Sequence, residues 1–431
     1  METKEADPIT EAPEVKPAPP LPSFVADRKA LIKEVEIAGR VVEKKSTIPI
    51  LGNLLLEAKG KTLTITGTDL EIGAVTQCEI GTAKKAGPGS ITVPSKQFLA
   101  TLKGMPGDSV QISQIGFAIT VQSIDGGVTA SLDGMSHESF PELPAVPDFT
   151  HMIPASVFRD AIKRTLYAIS SEGSRFTLNG DLLEIKDGKL RMVATDGHRL
   201  GYVEHPHDGP EMRTLIPKRA LVQLAKLAEK AEWVSMAHND DHLFFGVDGR
   251  ILIARKLTGN FPDYARMLPN DADTLHAAVV GTKALSDAMK RAEKQAAKGK
   301  RAVIMAFGPK GIELRVTISR ICKYNETVPA QYAAVPARRC AQCKSIEKDE
   351  AVELCKSERL NEFGKGVTCG GELIPLDAGI EVGINCRYVL DFLASTSEDQ
   401  VGIMMTDEKC ATKWKPVGNA GTLGLIMLLR M

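Results

Sequence analysis

Apolar positions along the chain follow two alternating rhythms, and each predicts an element type. Three stretches place apolar residues on one face at helical spacing: about Ala26–Val42, with Leu31, Val35 and Val42; Ala155–Ile169, with Phe158, Ile162, Leu166 and Ile169; and Thr282–Ala296. Shorter segments such as Leu54-Leu-Leu-Glu-Ala58 and Leu182-Leu-Glu-Ile185 predict strands of a sheet with one covered face. A second helix precedes a strand three times over: Ser95–Lys103 before Ser109-Val-Gln-Ile, Lys218–Lys230 before Trp233-Val-Ser-Met, and Arg387–Ala394 before Gln400-Val-Gly-Ile.

These patterns recur. Leu63-Thr-Ile-Thr-Gly-Thr-Asp69 and Leu190-Arg-Met-Val-Ala-Thr-Asp196 share a signature, and their aspartates lie about 127 residues apart, as do the starts of the second and third helical stretches. The third unit is longer by roughly 46 residues, which predicts an insertion at about 322–371. The expected architecture is α+β, with a Pro-rich tail at 1–23, unstructured for want of apolar periodicity, and domains at 24–148, 149–264 and 265–431. Head-to-tail repetition permits a closed ring, and repetition alone permits a three-domain globule equally well.

Composition narrows the function. Lys plus Arg equals Asp plus Glu, 54 each, so any nucleic-acid affinity must come from charge segregation. Aromatic residues are only 5%, which argues against a base-stacking platform. No apolar run is long enough to span a bilayer and no signal-peptide pattern opens the chain, so a cytoplasmic location is expected. Basic residues do segregate: Arg28, Lys29, Lys33, Arg40, Lys44 and Lys45 on or after the first helix, Arg159, Lys163 and Arg164 on the second, Lys290, Arg291 and Lys294 on the third. One such run is ordinarily a solvated face, but recurrence at the same place in three repeats favours a shared role.

The deciding segments are Thr47-Ile-Pro-Ile-Leu-Gly-Asn-Leu-Leu-Leu-Glu57, Thr68-Asp-Leu-Glu-Ile72, Ala194-Thr-Asp-Gly-His-Arg-Leu200, Phe261-Pro-Asp-Tyr264 and Asn385-Cys-Arg-Tyr-Val-Leu-Asp391. In order and spacing the set resembles the bacterial DNA polymerase III beta subunit, the replicative sliding clamp, across about 22–320 and 372–431. The resemblance implies a non-catalytic processivity factor: a head-to-tail homodimer of six domains around duplex DNA, with helices inside and sheets outside. Lys29, Lys33, Arg40, Lys45, Arg159, Lys163, Lys290 and Lys294 would then face the phosphates without reading bases.

It also implies a pocket between the second and third domains for peptide tails of the replicative polymerase, clamp loader and repair proteins. The matching residues are Leu178, Thr195, Gly197, His198, Arg199, Leu200, Pro262, Arg266, Met267, Asn385, Tyr388, Met427 and Arg430. Apolar walls with a few fixed polar groups suit an extended peptide with apolar anchors. His198 lies beside Asp196, but no nucleophile or carboxylate cluster accompanies it, so a wall role is expected and no residue is assigned to catalysis. Asp69, Asp196 and Asp391 read as turn and cap residues. The family ends in Met-Pro-Met-Arg-Leu, whereas this chain ends Met427-Leu-Leu-Arg-Met431, so its peptide preference is expected to differ.

The insertion carries Cys340-Ala-Gln-Cys343, Cys355 and Cys369, a set of thiols suited to one tetrahedral structural zinc; unligated cysteines and a redox pair are the competing readings. No cofactor is otherwise required. Two further functions compete with the replicative clamp: a clamp-derived scaffold or specialised second clamp using a zinc module, and a zinc-dependent nucleic-acid enzyme. An all-cysteine site without a general base is closed, which disfavours the enzyme.

Overall fold

The computed structural model describes residues 20–43, 47–81, 87–125, 127–296, 302–316, 323–334, 379–407 and 409–429 in full. Thr82, Thr317 and short strands between 338 and 375 are described by backbone only. Six α-helices occur among the described residues: α1 (Arg28–Gly39), α2 (Ser95–Gly104), α3 (Ala155–Thr165), α4 (Lys218–Leu227), α5 (Thr282–Gln295) and α6 (Cys386–Ser395). Each sequence repeat supplies two of them, and α1 packs on α2, α3 on α4 and α5 on α6. The architecture is α+β, as expected.

Two boundaries differ from the sequence reading for local reasons. Phe24–Asp27 is a strand rather than the first turn of α1, burying Phe24 and Ala26 and exposing Val25. Asp27 then caps the helix by accepting the Ala30 N–H at 2.7 Å, which satisfies a donor that has no intrahelical partner. The insertion also begins later than expected. Lys323–Val328 pairs with Gly311–Thr317, and Ala330–Ala334 pairs with His276–Gly281. The hairpin 311–328 is the counterpart of Lys189–Thr195 with Arg199–Pro206, but it lacks the Thr-Asp signature that marks the turn in the other two repeats.

Compactness divides the chain into two units, Met1–Phe149 with Ser235–Arg255, and Thr150–Val234 with Lys256–Met431. In the first unit, Arg250–Arg255 pairs antiparallel with Ile72–Thr82 in the register Ile251↔Val75 to Ala254↔Ile72. Strands from the end of the second repeat therefore extend the sheet of the first. Leu31, Val35, Leu54, Leu56, Leu63, Phe98, Leu102 and Val121 form the core beneath α1 and α2, each buried large side chain contributing about 1.5–3 kcal/mol.

In the second unit, a nine-stranded sheet runs without a break from the second repeat into the third, joined where Arg199–Pro206 pairs with Thr422–Ile426. Its larger core gathers Leu285, Met289, Met305, Leu314, Val382, Val389, Phe392 and Trp414 around α5 and α6. A smaller cluster holds Leu178, Leu182, Val193, Leu200, Leu215, Phe261, Leu423 and Leu425.

The repeated Thr-Asp pair has a structural cause. Thr68 Oγ1 donates to the Ile72 carbonyl at 3.0 Å and accepts the Leu70 N–H, while Asp69 Oδ1 accepts the Glu71 and Ile72 N–H groups. Thr195 and Asp196 repeat the pattern with Arg199 O, Gly197 N–H, and the N–H groups of His198 and Arg199. The residue after each aspartate is left-handed, Leu70 at φ 76° and Gly197 at φ 87°. Only the second copy has the residue that adopts this conformation without strain.

Candidate functional site

The second Thr-Asp turn builds one wall of the candidate pocket. Thr195 is buried with both hydroxyl bonds made inside the turn, so it shapes the wall and does not offer a free donor. Gly197 suits this turn because its φ is positive at 87°, a conformation that it adopts without the strain Leu70 carries in the first repeat. His198 is thereby exposed at the tip, and Leu200 turns into the small apolar cluster with Leu178 and Phe261.

Helix α6 carries the facing residues. Asn385 caps it, its side chain accepting the Arg387 N–H at 3.0 Å. Tyr388, half-buried, stacks with His198 at 6.3 Å between ring centroids and 18° between planes. The Met427 N–H donates to the His198 carbonyl at 2.9 Å, leaving the Met427 side chain 48% exposed beside the turn.

Arg199 joins these parts and is itself only 12% exposed. Its Nε donates to Asp196 Oδ2 at 3.0 Å and its Nη1 to Asp391 Oδ2 at 2.7 Å, while its plane lies 4.6 Å from the Tyr388 centroid and 5.4 Å from that of Tyr167. Burial alone would lower its pKa, but the two carboxylates outweigh this and hold it raised. The guanidinium thus serves the protein's interior. Asp391 is not the turn or cap residue that its motif suggests; it stands in the middle of α6 as an ion-pair partner of Arg199 and Arg387, and the cap is Asn385.

The remaining expected pocket residues are less tightly joined. Pro262 is exposed, directly after the buried Phe261. Arg266 is 88% exposed and pairs with Asp263 at 2.9 Å, and Met267 is 41% exposed. Arg430 lies outside the described residues. Tyr167, Arg175 and Asp391 belong to this constellation, and no motif in the sequence marks them as pocket residues. A separate cavity of about 540 Å³ is lined by residues including Arg213, Thr214, Lys256 and Phe261, and none of the expected pocket residues borders it.

The basic helix positions divide by environment. Lys33 on α1 and Arg40, its C-cap, are exposed and form no ion pair among the described residues, and Lys29 on α1 is exposed beside Asp108 at 3.3 Å. Lys45 lies outside the described residues. On α3, Arg159 donates to the carbonyls of Glu229 at 2.6 Å and Ala155 at 3.3 Å, and Lys163 is exposed with Nζ 2.7 Å from Ser397 Oγ. Arg164, grouped with them by sequence, is buried and paired with Asp160 and Glu398. On α5, Lys290 is exposed near Asp287 at 3.5 Å, and Lys294 is exposed without an ion pair among the described residues.

Of the candidate zinc ligands, Cys343, Cys355 and Cys369 lie outside the described residues, and Cys340 is described by backbone only, in the strand Arg338–Cys340. No helix among the described residues is long and apolar enough to cross a membrane.

The family model for the DNA polymerase III beta subunit, N-terminal domain, matches residues 23–144, and that for its central domain matches residues 152–263. The chain is 28% identical over 416 residues to the beta sliding clamp of Pseudomonas aeruginosa, and 27% identical over 417 residues to that of Escherichia coli K12. Each alignment covers 95% of this chain and 100% of the relative. Among solved structures, the sliding clamp of Bacillus subtilis matches with a TM-score of 0.79 at 21% identity, covering 95% of this chain and 99% of that one. The P. aeruginosa beta subunit matches at 0.78 and 24%, covering 95% and 100%.

Proposed function

The chain belongs to the DNA polymerase III beta-subunit family, the beta sliding clamps, and from that premise we propose how its residues do a clamp's work. It is a DNA sliding clamp, a non-catalytic processivity factor that needs no cofactor. The observation that carries the reading is the match to sliding clamps along 95% of the chain.

Two copies join head to tail into a ring of three repeats each, divided near residues 148 and 264, in the cytoplasm. The helices face the hole. Lys29, Lys33, Arg40, Lys163, Lys290 and Lys294 project from α1, α3 and α5, exposed on a molecule of zero formal net charge. Cations on helices whose other faces are buried suit phosphate contact without base reading. Encirclement makes strong contacts unnecessary, so the ring slides.

The turn at 195–200, helix α6, the 3₁₀ turn Tyr264–Met267 and the segment around Met427 form the docking pocket for extended peptides from the polymerase, the clamp loader and repair proteins. Exposed Met427 and Met267 offer adaptable apolar surface, while Leu178 and Leu200 supply a fixed floor.

Encirclement is testable directly. The protein should sediment near twice its 46.5 kDa chain mass and remain on nicked circular DNA through gel filtration, then leave once the circle is cut. Equal loss from cut and uncut DNA would refute the ring.

A further inference from the structure

Two walls of the proposed pocket come from sequence segments nearly two hundred residues apart, and Arg199 ties them by a charged contact. His198 stands on the turn after Thr195, and Tyr388 stands on α6. Arg199 lies against the Tyr388 ring and is braced by Asp196 on its own turn and by Asp391 on the helix. The two braces are not equivalent. Asp196 is three residues from Arg199, so their bond fixes the guanidinium only relative to its own turn. Asp391 is 192 residues away and fixes it relative to α6.

We propose that Asp391 is a positioning residue: by anchoring Arg199 to α6 it sets the spacing of His198 and Tyr388, and so the width of the peptide pocket, a role that rests on the pocket reading above. Three features support it. Asp391 holds Arg199 Nη1 at 2.7 Å with one oxygen and Arg387 Nε at 3.0 Å with the other, so its orientation is fixed from two sides. The guanidinium lies 4.6 Å from the Tyr388 centroid and 5.4 Å from that of Tyr167, so moving it would move the ring that faces His198. Tyr167 in turn donates to the Leu200 carbonyl at 3.4 Å, which ties the same strut to the strand leaving the turn.

The test uses the full-length protein with Asp391→Asn and Asp391→Glu. Ring resonances of His198 and Tyr388 are read in the free protein, and affinity is read with a labelled extended peptide bearing Leu and Phe anchors. Asp391→Asn should shift both ring signals and weaken the peptide about tenfold, as expected for loss of a charge-assisted bond, and Asp391→Glu should restore most of both. Unchanged ring signals in Asp391→Asn would overturn the proposal even if affinity fell. If the unsubstituted protein bound no such peptide while Asp391→Asn still shifted the rings, the positioning role would stand and the pocket reading would fall.

Discussion

At the scale of single residues, Asp181 is a position where the second repeat departs from the logic of the first. It occupies the strand site filled by Leu54 in the first repeat: Leu54 lies opposite Val93, and Asp181 opposite Ile216, each one residue before the proline that precedes a helix. Asp181 is fully buried, and its Oδ2 meets Thr165 Oγ1 on α3. The Thr165 hydroxyl also reaches the Ala161 carbonyl at 3.0 Å, so its one hydrogen is shared between two acceptors and stabilises a carboxylate at Asp181 only weakly. Burial pushes this carboxyl up to about 7 against the weaker opposing pull of the Thr165 and Val193 bonds. The sign follows from linkage. The unfolded chain releases this proton near pH 4 and the folded chain only near 7, so this group's contribution to stability falls between those values and is flat above them. Asp181→Leu should therefore change stability more favourably at pH 8 than at pH 5, by up to about 3 kcal/mol. Urea unfolding at the two values checks this, and a pH-independent effect would show that Asp181 is ionised when folded.

At the scale of elements, helix α3 shows what could and could not be read beforehand. Its start at Ala155 and its apolar face followed from local spacing, because helical periodicity is a near-neighbour property. The separate fates of its cations did not follow from counting charges. Lys163 and Arg164 are adjacent, yet one is exposed and the other is 5% exposed, since successive side chains on a helix diverge by about 100°. Arg164 lies three residues after the buried Ala161, which was a legible sign that it belonged to the inner face. Its partner Glu398 was not legible: 234 residues separate them, and no short motif encodes the pair. The same holds for Arg199 and Asp391, so the turn and the helix of the pocket could be read separately but their strut could not. Glu398 takes two bonds from Arg164, at 2.8 and 3.3 Å, and one from Asn419 at 2.9 Å. Glu398→Ala would leave a buried guanidinium with Asp160 as its remaining carboxylate and should destabilise the second unit by about 2–3 kcal/mol. Lys163→Ala should stay within about 0.5 kcal/mol. Comparing the two urea midpoints tests the assignment, and equal effects would mean that Arg164 is not the structural member of the pair.

At the scale of the whole molecule, neutrality and DNA binding have to be reconciled. With 54 basic and 54 acidic residues, long-range attraction cannot deliver DNA to this protein, so local cations must act where acidic partners do not cancel them. Among the expected DNA-facing cations, Lys29 sits by Asp108, Lys290 by Asp287, Lys163 by the Ser397 hydroxyl and Arg159 on backbone carbonyls, which leaves Lys33, Arg40 and Lys294 exposed without an ion pair or a side-chain hydrogen bond among the described residues. The triple change Lys33→Gln, Arg40→Gln, Lys294→Gln should thus lower the salt dependence of DNA binding, by about 0.9 in the log–log slope for each phosphate that is no longer neutralised. Lys29→Gln alone should do less, because Asp108 already offsets part of that charge. Retention on nicked circles at low salt should survive the triple change, since topology and not affinity holds a closed ring. Melting temperature and solution mass should not move, because all three side chains are exposed. An unchanged salt slope would place the DNA on another face of the helices, whereas failure of low-salt retention would mean that binding strength, rather than closure, keeps this protein on its DNA.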